Sequence, residues 1–165
     1  MIVREDTFFQ TTLPDMLDGR SNILVLIANP RLADKFQEGE LLPANSLIKV
    51  CILHSVDNGA HIARSALGYK GERMYILYAG RNTFDRIIDV AKNLRRQDPC
   101  GTIIVVSCTC DEVLKRKMYA NSIRTQEMDC VVFTLDCGAV VFMDIIVETL
   151  RSHTLLIANE ATSLP

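Results

Sequence analysis

Residues 74–107 read M-Y-I-L-Y-A-G-R-N-T-F-D-R-I-I-D-V-A-K-N-L-R-R-Q-D-P-C-G-T-I-I-V-V-S, and this stretch decides the fold. It begins with an apolar run, passes through Gly80, and ends with a second, β-branched run after the break at Asp98-Pro99-Cys100-Gly101. The middle repeats apolar residues at three- and four-residue steps, which predicts a helix with one buried face. The residues of that face are Phe84, Ile87, Ile88, Ala91 and Leu94.

The two runs that flank this helix are apolar at nearly every position, as in strands that helices cover on both faces of a parallel sheet. Residues 74–107 therefore predict one βαβ unit. Similar runs at residues 22–27, 47–53 and 130–135 predict three more strands, with helical patterns between them. The chain therefore predicts an α/β fold, a three-layer αβα sandwich around a five-stranded parallel sheet with the flavodoxin-like strand order 2-1-3-4-5.

The length of 165 residues and the hydrophobic content of 48% suit a single domain with a sizeable core. We expect residues 1–21 to form an N-terminal cap or arm, because Pro14 and Asp18-Gly19 interrupt their apolar pattern. Residues 22–152 contain the strand and helix repeats, with a last helix at residues 140–151. Residues 153–165 are predicted to be a C-terminal tail, in which Leu155-Leu156-Ile157 suits a small extra strand.

Charge and hydropathy exclude several classes of partner. The 18 Lys and Arg residues balance 20 Asp and Glu residues, so no broad basic surface predicts binding to nucleic acid. Arg4, Glu5 and Asp6 interrupt the region where a signal peptide needs an apolar core, and no run approaches the roughly 18 apolar residues of a spanning helix. We expect a cytoplasmic protein with no membrane partner, whose six cysteines are mostly free thiols.

The order and spacing of these elements resemble the receiver domain of bacterial response regulators across roughly residues 21–152. Four pieces carry the resemblance: a turn into the second helix, a third strand, the end of the third helix and the start of the fifth strand. In this sequence they are residues 57–63, residues 73–78, residues 94–99 followed by the fourth strand at residues 103–107, and Met128-Asp129-Cys130. The resemblance implies a receiver-like, flavodoxin-like fold and a role in signal transduction.

A working receiver has two acidic residues after its first strand, a phosphoryl-accepting Asp after the third, a hydroxyl after the fourth and a Lys after the fifth. Oxygen ligands hold Mg²⁺, and the Mg²⁺ and Lys neutralise charge on the phosphoryl group. The matching positions of this chain are Ala28, Asn29, Ala79, Ser107 and Thr134. Because only the hydroxyl is kept, the resemblance implies a degenerate pseudo-receiver with no phosphoacceptor, catalytic residue, metal or cofactor, and so no enzymatic activity.

Two charged clusters lie on helices that commonly form the partner-binding face of receivers, together with the strand between them. Lys115-Arg116-Lys117 belongs to the fourth predicted helix, and Asp144 and Glu148 belong to the last helix. The resemblance implies a protein partner or a homodimer that binds through the fourth helix, fifth strand and last helix. The alternative is a solvated surface, on which Glu148 pairs with Arg151 at i,i+3.

A second function remains open, that of a small flavodoxin-like enzyme or a ligand or metal binder. Cys108 and Cys110 follow the fourth predicted strand and Cys137 follows the fifth, so three thiols can gather with Ser107 and Asp136 at one rim of the sheet. Such a group suits a soft metal or redox chemistry. Against this interpretation, C-x-C is a short motif, and a free cysteine is often a small buried hydrophobe.

Overall fold

The computed structural model describes residues 2–18, 23–28, 48–53, 71–80, 83–108, 112–124, 128–135 and 140–163. Within these residues, six strands form one parallel sheet in the order β1-β6-β5-β4-β2-β3. The strands are β1 (Ile2–Arg4), β2 (Ile23–Ala28), β3 (Ile48–Leu53), β4 (Glu72–Ala79), β5 (Thr102–Cys108) and β6 (Cys130–Thr134). The architecture is α/β and is compatible with a flavodoxin-like fold.

Helices flank the sheet along the described parts of the chain. Residues 5–17 form an N-terminal helical segment that consists of α1 (Glu5–Thr7), a π-helical turn (Phe8–Thr12) and α2 (Leu13–Leu17). The later helices are α3 (Phe84–Gln97), α4 (Glu112–Arg124) and α5 (Val140–Ser163). The helical patterns expected at residues 32–36 and 62–67 lie outside the described residues.

The βαβ unit expected at residues 74–107 is confirmed as β4, α3 and β5. The two strands pair in parallel, with Ala79 beside Ser107 at their carboxyl ends. Every residue expected on the buried face of the helix is buried, and Val90 joins them. The helix begins at Phe84 with Thr83 at its N-cap position.

Two apolar cores lie on opposite faces of the sheet. One contains the buried face of α3 with alternate residues of the strands, such as Ile103 and Val105. The other contains the intervening strand residues, such as Ile104, together with residues of the N-terminal helical segment and α5. This alternation follows from the two-residue period of a strand. α4 lies on the α3 side, because the Tyr119 ring stacks on Phe133 with 5.5 Å between centroids.

The prediction of five strands is wrong, because the described residues form six. β1 adds a sixth strand to the sheet, with Ile2 beside Val131 and Arg4 beside Phe133. Phe8 of the N-terminal helical segment is fully buried in the core shared with α5. A strand of three residues is too short to produce a readable period, and its partner β6 lies near the other end of the sequence.

The small extra strand expected at residues 155–157 is also wrong, because these residues are helical. α5 begins at Val140 and continues to Ser163, well beyond the expected end at residue 151. No Gly or Pro interrupts residues 140–163, and Pro165 follows soon after the helix ends. In the described part of the chain, no helix combines the length and the apolar character needed to cross a membrane.

Candidate functional site

The residues of the expected phosphorylation pocket lie at the carboxyl ends of the strands, the edge where ligands bind in open α/β sheets. Ala28 and Ala79 are the last residues of β2 and β4. Ser107 lies beside Ala79, and Thr134 ends β6 beside Cys108. Asn29 lies outside the described residues.

Both hydroxyl groups at this rim form hydrogen bonds within the chain. Ser107 Oγ donates to the carbonyl oxygen of Ala79 at 3.2 Å, and both residues are fully buried. Thr134 Oγ1 donates to Glu5 Oε2 at 3.1 Å. A carboxylate from the N-terminal helical segment therefore contacts the end of β6. The sequence did not predict this contact of Glu5, because only the pairing of β1 with β6 brings the carboxylate there.

The turn that leads from β4 into α3 is closed by hydrogen bonds between Gly80 and Thr83. The backbone N–H of Gly80 donates to Thr83 Oγ1 at 3.0 Å, and the Thr83 N–H donates to the Gly80 carbonyl at 3.3 Å. The Gly80 N–H and the Thr83 hydroxyl are therefore both engaged within the turn.

The thiols have contrasting environments. Cys108 is buried, whereas Cys110, Asp136 and Cys137 lie outside the described residues, so the expected thiol rim is untested. Within the described ranges, no three His, Cys, Asp or Glu side chains form a group that can hold a metal ion. Cys130 lies in the core beside α5, where burial raises the pKa of its thiol to about 12. Cys130 is therefore a protonated packing residue at neutral pH.

The charged residues of the expected interaction face lie on two sides of the sheet. Lys115 of α4 is half-buried, and Arg116 and Lys117 are exposed. Lys117 Nζ lies 5.7 Å from the centroid of the Phe84 ring, within the range of a cation–π contact. On α5, Glu148 Oε1 accepts a hydrogen bond from Arg151 Nη1 at 2.7 Å, which confirms the expected i,i+3 pair.

The strand between these helices at the sheet edge is β1 and not the expected fifth strand. β6 pairs with β5 on one side and with β1 on the other, and β1 is the outermost strand of the described sheet. An interface at this edge would therefore involve β1 directly. Because residues 1–21 were expected to form a cap or arm, the part of β1 in this surface was not predicted from the sequence.

A groove lies between β1 and α4, which we call the β1–α4 groove. Its volume is about 580 Å³. The residues that line it are Ile2, Val3, Arg4, Glu5, Asp6, Lys115, Tyr119, Phe133 and Leu135. Leu135 is 75% exposed and Tyr119 is 42% exposed, so the groove presents apolar surface to solvent. Exposed apolar patches of this kind mark binding sites more often than scattered single residues do.

The outer face of α5, which we call the α5 ridge, carries a second depression of about 410 Å³. The residues that line it are Val141, Asp144, Ile145, Glu148, Thr149 and Ser152. Val141 is 61% exposed and Ile145 is 39% exposed. The ridge therefore combines apolar side chains with two carboxylates.

A buried polar group lies at the amino ends of the strands, away from the rim that holds Ala79 and Ser107. Asp98 is 1% exposed, and its carboxylate accepts hydrogen bonds from Arg73 Nε and Nη2 and from the Tyr75 hydroxyl. Burial by itself raises the pKa of Asp98, but the hydrogen bonds from Arg73 and Tyr75 outweigh it and hold the pKa below its ordinary value. Burial and the bond to Asp98 raise the pKa of Tyr75. All three groups are engaged with one another, which favours a structural role over a chemical one.

Arg95 extends this polar group across the turn between α3 and β5. Its guanidinium donates to the carbonyls of Pro99 and Gly101 at 3.0 and 2.7 Å and to Asp129 Oδ2 at 2.6 Å. The same Asp129 oxygen accepts the N–H of Ile103 at 2.7 Å. These bonds hold the start of β5 next to the residue that precedes β6.

No family model and no curated protein matches this chain. Among solved structures, it is similar to a pilus assembly-related protein from Burkholderia pseudomallei, with a TM-score of 0.46 and 14% identity over 81% of this chain and 92% of that one. It is also similar to the pilus assembly protein CpaE from Caulobacter crescentus, with a TM-score of 0.43 and 13% identity over 83% of this chain and 93% of that one. Neither likeness assigns a role to a residue of this chain.

Proposed function

We propose that this chain is a receiver-like protein-interaction module that works without phosphorylation. The observation that carries the proposal is the environment of Ala79 at the end of β4. The Ala79 side chain has no oxygen, although this position carries the phosphoacceptor in a receiver. The backbone carbonyl of Ala79 accepts a hydrogen bond from the hydroxyl of Ser107. The order β3-β2-β4-β5-β6 within the sheet supports the receiver-like assignment.

The rest of the rim is consistent with this proposal. A Mg²⁺ site needs several oxygen ligands, and Ala28 supplies no side-chain oxygen at the end of β2. Thr134 stands where a receiver has its Lys, and its hydroxyl is bonded to Glu5. The chain therefore lacks the cationic group that neutralises a transferred phosphoryl group at that position.

The output of such a module is a protein contact, either self-association or docking to another protein. The β1–α4 groove and the α5 ridge support this part of the proposal, because both expose apolar side chains beside charged ones. Interface centres are enriched in apolar and aromatic residues, and a polar rim surrounds them. The edge of the sheet at β1 lies between the two surfaces.

Thermal unfolding with Mg²⁺ and beryllofluoride tests the absence of phosphoryl chemistry. A ligand at 100 times its Kd stabilises a folded protein by about 2.7 kcal/mol, which for a chain of this size shifts Tm by roughly 5–10 °C. We expect no shift relative to a control with Mg²⁺ and fluoride alone, and no labelling of an aspartate by acetyl phosphate. A stabilisation of that size, or an acid-stable mass label traced to an aspartate, contradicts the proposal.

A further inference from the structure

The β1–α4 groove has the size and the lining of a small-molecule site. Its volume of about 580 Å³ lies within the range of roughly 300–1,000 Å³ that is typical of ligand pockets. Such pockets are lined mostly by apolar and aromatic side chains, with a few polar groups that orient the ligand. The apolar and aromatic residues of this groove are Ile2, Val3, Tyr119, Phe133 and Leu135. Leu135 is 75% exposed, so the groove offers apolar surface that the described part of the chain leaves uncovered.

An aromatic pair forms part of the groove wall. The Tyr119 ring stacks on Phe133 with 5.5 Å between centroids and 21° between the ring planes. Phe133 is 7% exposed, whereas Tyr119 is 42% exposed, so the outer ring of the pair is accessible to a ligand. Aromatic groups stabilise one another in offset-stacked or edge-to-face contacts. The wall therefore favours a ligand with a planar aromatic body.

Lys115 supplies a cation to the α4 wall. Its side chain is half-buried and lines the groove, and the ion pairs among the described residues do not include it. An ammonium group beside apolar surface loses part of its hydration, and a charge-assisted hydrogen bond to an anion offsets that loss. The neighbouring Arg116 is exposed and does not line the groove. Lys115 is therefore the cation that α4 contributes to this site.

The β1 wall limits the charge that a ligand can carry. Glu5 Oε2 accepts the Thr134 hydroxyl at 3.1 Å. Asp6 Oδ1 accepts the backbone N–H of Thr7 at 2.9 Å and lies 3.8 Å from Arg4 Nε. Both carboxylates are engaged within the chain, but their negative charges remain beside the groove. A single negative charge next to α4 is therefore favoured, whereas a second negative charge next to β1 would be repelled.

We propose that the β1–α4 groove binds a small aromatic monoanion, either a carboxylate or a sulfonate. The anionic group pairs with Lys115, and the ring packs against Tyr119 and Leu135. The inference goes beyond the proposed function, because it assigns a small-molecule ligand to this surface. Its test requires neither phosphoryl chemistry nor a protein partner, so its failure and the failure of the proposed function are distinguishable.

Fluorescence titration of the full chain with 8-anilinonaphthalene-1-sulfonate tests the inference. This probe is an aromatic monoanion, and N-phenyl-1-naphthylamine is its neutral counterpart, with the same rings and no sulfonate. We expect the sulfonate probe to bind saturably, at one molecule per chain. The same probe binds loosely packed chains, so thermal unfolding must confirm that the original chain and each variant are folded.

Lys115→Met tests the charge contact, because it removes the ammonium group and keeps an apolar side chain. It should raise the dissociation constant of the sulfonate probe on the order of tenfold and change that of the neutral probe by less than about twofold. Arg116→Met is the matched control, since it removes the neighbouring charge outside the groove. It should change neither constant by more than about twofold.

Leu135→Ser and Tyr119→Ser test the apolar contact. Each should raise the dissociation constants of both probes on the order of fivefold, because the rings are common to the two compounds. Val113→Ser removes an exposed apolar residue of α4 that does not line the groove, so it should leave both constants within about twofold. If Tyr119→Ser does not fold, the Leu135 variant still decides the result, because its position is largely exposed.

Three results overturn the inference. The first is the absence of saturable binding of the sulfonate probe to the folded chain. The second is binding that both Lys115→Met and Leu135→Ser leave within about twofold, which would locate the probe elsewhere on the molecule. The third is an equal loss of affinity for the two probes in folded Lys115→Met, which would show that the lysine charge does not select an anion.

Discussion

Asp98 and Arg73 form a two-point ion pair at the amino end of β4, with Arg73 Nε 2.6 Å from Asp98 Oδ2 and Nη2 2.8 Å from Oδ1. The Tyr75 hydroxyl donates to the same Oδ2 at 2.7 Å. Because the carboxylate is buried, these three bonds replace the water that it loses on folding. The pair therefore ties the end of α3 to the start of β4, far from the strand-end rim.

The first prediction concerns Asp98→Asn. The variant leaves Arg73 without its charged partner, so the free energy of unfolding at neutral pH should fall on the order of 3 kcal/mol. The pKa of Asp98 is lower in the folded chain than its unfolded value of about 3.9. Its stabilisation is thus fully present above about pH 4 and is lost as pH falls through the lower, folded pKa.

Urea unfolding at pH 7 and at a series of acidic pH values measures this effect. The difference between the original chain and Asp98→Asn should shrink as pH falls below about 4. Asp89→Asn, on the exposed surface of α3, is the matched control and should leave stability at neutral pH unchanged. A difference for Asp98→Asn that stays constant down to the lowest pH would show that the charge is not the source of its effect.

The second prediction concerns the turn at Gly101. A Cβ at this position would lie 2.7 Å from Asp98 Oδ2 and 2.8 Å from Tyr75 Cε2, closer than real Cβ contacts. Because both atoms belong to the buried polar group, they cannot move without losing hydrogen bonds. Gly101→Ala should therefore lower the free energy of unfolding by about 1–3 kcal/mol.

Gly80→Ala is the control for that substitution. The nearest atom to a Cβ at Gly80 is Thr83 Oγ1 at 3.5 Å, which is an ordinary van der Waals contact. Chemical denaturation should find this variant as stable as the original chain or slightly more stable, because alanine reduces the freedom of the unfolded chain. Equal stability of both alanine variants would contradict the packing described at Gly101.

The third prediction concerns the N-terminal helical segment. The Phe8 ring is fully buried, with its centroid 5.2 Å from that of Phe9 and 5.6 Å from that of Phe142. Phe8→Ala should cost about 3–5 kcal/mol of unfolding free energy, as for other buried aromatic residues. Gln10→Ala changes an exposed residue of the same π-helical turn and should cost little. A negligible effect of Phe8→Ala would contradict the packing of this segment in the core.

The fourth prediction concerns thiol reactivity in the folded chain. Iodoacetamide labelling, resolved by peptide mass spectrometry, should modify the exposed Cys100 quickly. Cys130 should react only on unfolding, because it is fully buried and its raised pKa keeps it protonated. Rapid labelling of Cys130 would contradict this packing. Stoichiometric bound metal that is lost in a Cys108→Ser variant would instead favour the alternative function at the thiol rim.

Local pattern was sufficient to predict the central part of the fold. The buried apolar residues of α3 belong to the same core as residues of β4, β5 and β6, so the 3.6-residue period in the sequence matches the buried face. The same reasoning failed at both ends of the chain. β1 has only three residues, and the end of α5 was placed too early because Leu155-Leu156-Ile157 suits a strand as well as a helix.

Periodicity and residue identity are local properties, so they were sufficient to predict the parallel α/β core and the absence of carboxylates at positions 28 and 79. The pairing of β1 with β6, the contact of Glu5 with Thr134 and the burial of Asp98 between Arg73 and Tyr75 depend on the folded chain. Each of these contacts joins residues that are distant along the chain. Whether these contacts form depends on how distant segments of the chain pack against one another, and a local sequence pattern does not predict that packing.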